Sequence, residues 1–136
     1  MEQLSHLVGK PEILCELPFY TEGPVVDEWG NYYFTDLTGG HVYRRNASGV
    51  LSVWALSDCP NGQAILPDGC HILCDTKRSS LRIYDPAGLW IKDIVNGRCG
   101  GRKVEAPNDV VMDARGGIYF TDSVRHCGKL FYITPD

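Results

Sequence analysis

The stretch NDVVMDARGGIYFTD, Asn108–Asp122, has two earlier counterparts in the chain: EGPVVDEWGNYYFTD, Glu22–Asp36, and NGQAILPDGCHILCD, Asn61–Asp75. Counted from the leading polar residue, a glycine stands at +8 (Gly30, Gly69, Gly116), a large apolar residue at +12 (Phe34, Leu73, Phe120) and an aspartate at +14 (Asp36, Asp75, Asp122). The starting points lie 39 and 47 residues apart. Self-similarity at roughly this period is the mark of a propeller blade.

Each unit reads as strands joined by tight turns. Short apolar runs at Val25–Val26, Ala64–Leu66 and Val110–Met112 stop at the glycine turn, and β-formers resume at Tyr32–Thr35, Ile72–Cys74 and Ile118–Thr121. A third strand follows at His41–Arg44, Leu81–Tyr84 and Lys129–Ile133, and a fourth at Leu51–Leu56 and Leu89–Val95. No long segment carries a helical period. The fold class is therefore all-β: a β-propeller of four-stranded blades, of which residues 1–136 make one partial domain with units starting near 22, 61 and 108. Propellers close with about four to eight blades. Three blades are expected to belong to a longer ring, or to pair with a second copy as a homodimer that hides the open edges.

Composition narrows the function. With 43% hydrophobic and 22% charged residues the chain can bury a core, and its net charge of −4 without a basic stripe sets aside nucleic acid and anionic membranes as partners. Met1–Lys10 lacks the pattern of a secretion signal and no apolar run is long enough to span a bilayer, so a cytoplasmic location is expected. The six cysteines then read as reduced thiols. Cys70 and Cys74 would share one strand face as small buried hydrophobes. The four histidines do not fall at zinc-finger spacing. No Gly-x-Ser-x-Gly elbow and no P-loop is present. Asn46-Ala-Ser48 reads as a turn rather than a glycosylation site.

Repeats related by rotation place equivalent positions around one axis, so Glu22, Asn61 and Asn108 should converge on the channel. A carboxylate with two amide oxygens is a hard-oxygen set, suited to calcium or magnesium and poorly to copper or structural zinc. An ion held by few protein ligands keeps positions open for water and a carbonyl, the arrangement that opens an ester or lactone. Each residue also has a plainer reading. Glu22 could be a loop residue, and Asn61 and Asn108 could cap their own turns. Asp109, one residue on from Asn108, should point to the opposite face of an extended strand, which favours a structural role over a catalytic one. The recurrent Asp36, Asp75 and Asp122 read as structural hydrogen-bond acceptors at strand ends. The eight extra residues of the third unit fall in the glycine-rich, basic Asn96–Glu105. That stretch reads as a floppy surface loop, with a mobile rim attracting an acidic sugar as the alternative.

Glu22-Gly-Pro-Val, Pro60-Asn61-Gly, Ala106-Pro107-Asn108-Asp109-Val-Val and Gly117-Ile-Tyr-Phe-Thr-Asp122 together resemble the gluconolactonase, senescence-marker-protein and luciferin-regenerating-enzyme family of six-bladed propellers. The resemblance runs from about Leu17 to Asp136 and covers the N-terminal half of a family member. It implies a divalent metal at the channel mouth, calcium first, with magnesium, manganese or zinc as alternatives. It makes Glu22 a metal ligand, places Asn108 beside both metal and substrate, and gives Asn61 a substrate-lining role found in the lactonase branch. Further ligands and the usual general base would come from later blades, so the base is open unless Asp109 supplies it. Some relatives carry an arginine two residues before the asparagine for sugar contact, where this chain has Ala106. The implied activity is hydrolysis of a small-molecule lactone or sugar-acid ester. The alternatives are a non-catalytic fragment or binding module without a complete metal centre, and, ranked lower, a strictosidine-synthase-like or NHL-type propeller.

Overall fold

The computed structural model describes residues 9–136; the readings made of the first eight residues, His6 included, lie outside the described residues. β1 (Thr21–Val26), β2 (Tyr32–Asp36), β3 (His41–Arg45) and β4 (Leu51–Leu56) form one antiparallel sheet in chain order. β5 (Pro60–Ile65), β6 (His71–Asp75), β7 (Ser80–Tyr84) and β8 (Trp90–Asn96) form a second. A small hairpin, β9 (Arg98–Cys99) with β10 (Arg102–Lys103), then leads to a three-stranded sheet of β11 (Pro107–Met112), β12 (Ile118–Asp122) and β13 (Lys129–Ile133). These are the three blades expected from the repeat. Among the described residues no helix is long and apolar enough to cross a membrane.

The glycine at +8 closes each first hairpin. Gly30, Gly69 and Gly116 have φ of 81°, 84° and 89°, and their N–H groups donate to the carbonyls of Asp27, Leu66 and Asp113. A tight turn followed by one left-handed residue matches the right-handed twist of the flanking strands, and glycine takes that conformation without a Cβ clash.

Packing follows from the order of the blades. The middle blade is covered on both faces, so β6 and β7 are buried throughout, whereas β2 and β12 in the outer blades alternate. Side chains of β6 divide by parity. Leu73 joins Val42, Ala55 and Tyr84 in the core between the first two blades. Ile72 and Cys74 join Leu81, Ile83, Val95, Val104, Val110 and Phe120 between the second and third. Cys70 packs against that second core beside Cys74, as the shared strand face implies. All six cysteines are free thiols. At the two open faces apolar side chains are exposed, Val26 at 61% and Leu130 at 71%.

Asn96–Glu105 is not the floppy loop that its glycines suggest. It forms the β9–β10 hairpin, and Val104, 1% exposed, anchors it in the second core. Val104 N–H donates to Gly97 O and Gly97 N–H to Ser79 O, both at 2.9 Å. The buried valine, Cys99 packed against the same core and these bonds tie the hairpin to the second blade.

The aspartates at +14 are all fully buried and act as structural acceptors. Asp75 accepts from the N–H groups of Asp58 (2.8 Å), Cys59 (3.2 Å) and Arg78 (3.0 Å) and from the Ser57 hydroxyl. Asp122 accepts from Glu105 N–H (3.1 Å), Ala106 N–H (2.6 Å) and Lys129 Nζ (3.2 Å). Both carboxylates thus hold the segment that leads into the innermost strand of their own blade. Asp36 instead takes Gly39 N–H at 2.9 Å in its own turn. Burial alone would raise the Asp75 and Asp122 carboxyls, but the hydrogen bonds from these donors prevail and hold both below the ordinary value of 3.8.

His71, 2% exposed, sits between the first two blades with its ring against Tyr33 (centroids 4.6 Å apart) and Trp54 (4.2 Å). Burial pushes its imidazole from 6.5 down to about 4, with Asp27 pulling weakly the other way.

Two predictions follow the signs of these shifts. A histidine depressed in the fold contributes stability that is fully present above pH 6.5 and disappears as the pH falls from 6.5 to about 4. Urea unfolding across that window should show a loss of up to about 3 kcal/mol, absent in a His71→Phe variant. The depressed carboxylates contribute stability present above their unfolded value and lost only on further acidification, below about pH 4. At neutral pH, Asp75→Asn removes a buried charged acceptor and should cost about 2–3 kcal/mol in urea unfolding.

Candidate functional site

The innermost strands meet edge to edge, β5 lying between β1 and β11. Each carries a bulge near its start, where the register slips between Glu22 and Val25, Pro60 and Gln63, and Pro107 and Val110. Such bulges bend a strand and re-aim its side chains. Here the bulges hold the three positions that the repeat singles out: Glu22 follows Thr21 opposite Asp36, Asn61 follows Pro60 opposite Asp75, and Asn108 follows Pro107 opposite Asp122.

Glycine makes the close approach of the bulges possible. A Cβ on Gly23 would stand 2.4 Å from Asn61 O, and one on Gly62 would stand 2.6 Å from Asn108 O. Gly23 also has φ of 55°. Hydrogen bonds then join the blades: Thr35 Oγ1 donates to Asn61 O (2.9 Å), Gln63 Nε2 to Gly23 O (2.8 Å), Thr76 Oγ1 to Pro107 O (2.8 Å) and Ser79 Oγ to Glu105 O (2.7 Å).

Asn61 is 3% exposed, and its amide orientation is determined by its neighbour. Thr76 spends its hydroxyl proton on Pro107 O, so its oxygen must accept from Asn61 Nδ2, 3.2 Å away. The amide oxygen is thereby turned the other way. Asn61 Oδ1 is buried and has no hydrogen-bond partner. A buried acceptor without a donor costs about 1–3 kcal/mol, a cost that a water or ion reaching the atom would relieve.

Glu22 and Asn108 are half-buried and Asp109 is exposed. Glu22 borders a groove of about 600 Å³ on the open face of the first blade, with Val25, Phe34 and the extended residues Ile13 and Leu14. No side-chain hydrogen bond among the described residues links Glu22, Asn61 and Asn108 to one another. Asp109 lies within the bulge. Its Oδ1 comes 2.5 Å from where a Cβ of Gly62 would stand, so the carboxylate faces back toward the second blade beside Asn61. Asp109 N–H donates to Thr121 Oγ1 and its Oδ1 accepts from Val110 N–H. Behind the rim, burial pushes the Cys74 thiol up, and Asp109 and Asp75 raise it further. Such a thiol is inert rather than nucleophilic.

Among the described residues no three His, Cys, Asp or Glu side chains gather as a metal site. An ion here would have to rest on amide oxygens as well as on Glu22. The unpaired Asn61 Oδ1 fits that role, since hard divalent ions take carboxylate and amide oxygens alike. Sequence reasoning singled out Asn61 but missed Thr76, Thr35 and Gln63, which position the rim. One signal was present: Thr35 and Thr121 precede the +14 aspartate and Thr76 follows it.

The solved structures most like this chain share its fold. A gluconolactonase from Xanthomonas campestris superposes with a TM-score of 0.78 at 22% identity, covering 90% of this chain and 46% of that one. Regucalcin, a calcium-binding protein from Agrobacterium tumefaciens, gives 0.66 at 12% identity over 78% and 39%. Virginiamycin B lyase from Staphylococcus aureus gives 0.63 at 17% identity over 85% and 42%. The chain thus spans less than half the length of these proteins. No curated protein matches the chain at a significant level. Residues 20–136 match the SMP-30/Gluconolactonase/LRE-like region. With nearly all of its blades inside that match, the chain belongs to the SMP-30/gluconolactonase/LRE-like family.

Proposed function

We propose that this chain supplies one side of the channel site of a calcium-type, metal-dependent lactone or ester hydrolase, acting on a small-molecule lactone or sugar-acid ester. The observation that carries the reading is Asn61 Oδ1, buried and unpaired, its amide fixed by Thr76, on the strand between β1 and β11. In this reading Glu22 and Asn108 hold the ion with the Asn61 amide oxygen completing the hard-oxygen set, and Asn61 and Asn108 also contact the substrate. When bound, the ion supplies polarisation of the ester carbonyl. The chain's own residues do the rest. Thr76 keeps an oxygen rather than an amide N–H of Asn61 turned to the site. The bulge glycines bring the strands close enough for one ligand to touch neighbouring blades. Asp109, whose Oδ1 lies by Gly62, serves in this reading as the general base toward water.

A second reading, a binding module without a complete centre, is favoured because among the described residues no three His, Cys, Asp or Glu side chains cluster. The fold itself does not choose between them, because a lyase shares it.

Calcium titration of the chain distinguishes the two. Isothermal calorimetry with calcium chloride should show saturable binding. At a calcium concentration a hundredfold above Kd the fold should gain about 2.7 kcal/mol in urea unfolding. Glu22→Gln should weaken binding at least about tenfold, and Thr76→Val, which frees the Asn61 amide to rotate, should weaken it about three- to tenfold. No binding at millimolar calcium, with Glu22→Gln melting as the parent does, would leave the binding-module reading standing.

A further inference from the structure

At the end of the blades opposite the rim, a cleft of about 470 Å³ opens between the first and second sheets. It lies where the β1–β2 and β5–β6 turns meet, and Asp27, Trp29, Asn31, Tyr33, Arg44 and His71 line it. Nothing in the proposed hydrolase uses it.

The hydrogen bonds around the cleft define its chemistry. Gln63 donates through Nε2 to Gly23 O, so its Oε1 must accept from His71, whose Nδ1 is 3.0 Å away. Nδ1 therefore carries the proton. The buried ring is neutral near pH 7, which leaves Nε2 with a lone pair. That acceptor has no partner among the described residues. On the other wall, Arg44 Nη2 donates to Asn31 Oδ1 at 3.1 Å, while Arg44 Nε is buried without a partner. The cleft thus pairs an open acceptor with a guanidinium that lines it, although Arg44 Nε itself lies beneath the surface.

Its carboxylate is already occupied. Asp27 accepts from Trp29 N–H (3.0 Å), Asn31 N–H (2.9 Å), Asn31 Nδ2 (2.7 Å) and Tyr33 OH (3.3 Å). A cationic ligand would find no free carboxylate edge on Asp27 and only the exposed Asp68, whose Oδ1 accepts Cys70 N–H, while an anionic one would sit beside both acids. Trp29, on the turn at the mouth, exposes 69% of its surface. An exposed indole offers a flat apolar face beside polar groups.

We propose that this cleft is a binding site for a neutral polyhydroxylated ring, a monosaccharide, stacked on Trp29 and hydrogen-bonded to His71 Nε2 and Arg44. A hydroxyl both donates and accepts, so one ring can give a proton to His71 Nε2 and take one from the Arg44 guanidinium. The ring's apolar face covers the indole, and the lack of formal charge suits a wall whose acid is already paired. Both blades that build the site are present in this chain, so the proposal is independent of the channel chemistry.

The test is an NMR titration of the chain with D-glucose and D-galactose, each beside its charged counterparts glucuronate and glucosamine or galacturonate and galactosamine. At least one neutral hexose should shift the Trp29 indole N–H and the amides of Asn31 and His71 saturably, with Kd on the order of millimolar. Trp29→Ala, at an exposed position, should weaken binding roughly tenfold, and Trp29→Phe should restore most of it. The proposal is overturned by an absence of shifts up to about 100 mM hexose. Shifts confined to other residues, tighter binding of a charged sugar, or Trp29→Ala binding as the parent does would each overturn it as well.

Discussion

The blades depend on a buried carboxylate at the end of the second strand. In the second and third blades, Asp75 and Asp122 accept backbone N–H groups from the segments Asp58–Cys59 and Glu105–Ala106, which deliver the chain to the next innermost strand. These segments are not strands and have no ladder to satisfy their amides. One carboxylate does so, and in doing so sets where β5 and β11 begin. Charge-assisted bonds to several N–H groups outweigh the desolvation of the acid, the condition under which a buried charge contributes to stability. Arg82 continues the network on the outer side, reaching Ser57 at 3.1 Å and Asp93 at 3.1 Å.

Once the inner strands start at equal height, their bulges come together. Gly23 and Gly62 lie against the backbone carbonyls of the next blade at distances no side chain tolerates. The third blade carries Asp109 at the corresponding place, and its carboxylate leans back on Gly62. The polar rim is thus a consequence of close backbone approach. Threonines and a glutamine bridge the blades, and the amide oxygen of Asn61 is the group left over. Strand geometry and binding chemistry share the same residues, as is common where bulges border functional sites.

The opposite end of the sheets is organised differently. There the space between blades is filled by aromatic rings around His71, and the cleft opens where the turns part. Burial makes that histidine neutral and Gln63 fixes its tautomer, so packing and hydrogen bonding decide what the cleft can recognise. The two ends therefore present unlike chemistry: a carboxylate with amide oxygens at the rim, and an imidazole acceptor, a guanidinium and an exposed indole at the far end.

The period of the repeat, the glycine at +8 and the aspartate at +14 were enough to read three blades and their strands, because each is a local requirement: a left-handed turn residue, a β-forming run, an acceptor at a strand end. The same pattern singled out Glu22, Asn61 and Asn108. It could not show that Asn96–Glu105 is ordered, since Val104 is buried by residues far along the chain. Nor could it show which way Asp109 faces, because its neighbour Gly62 lies on another blade far along the chain. The unpaired oxygen of Asn61 and the open nitrogen of His71 belong wholly to the tertiary structure. Each depends on a bond made by a neighbour, Thr76 to Pro107 or Gln63 to Gly23, across an interface between blades. Local sequence determines which groups are present, and only the packing of one blade on another determines which of them are left without partners.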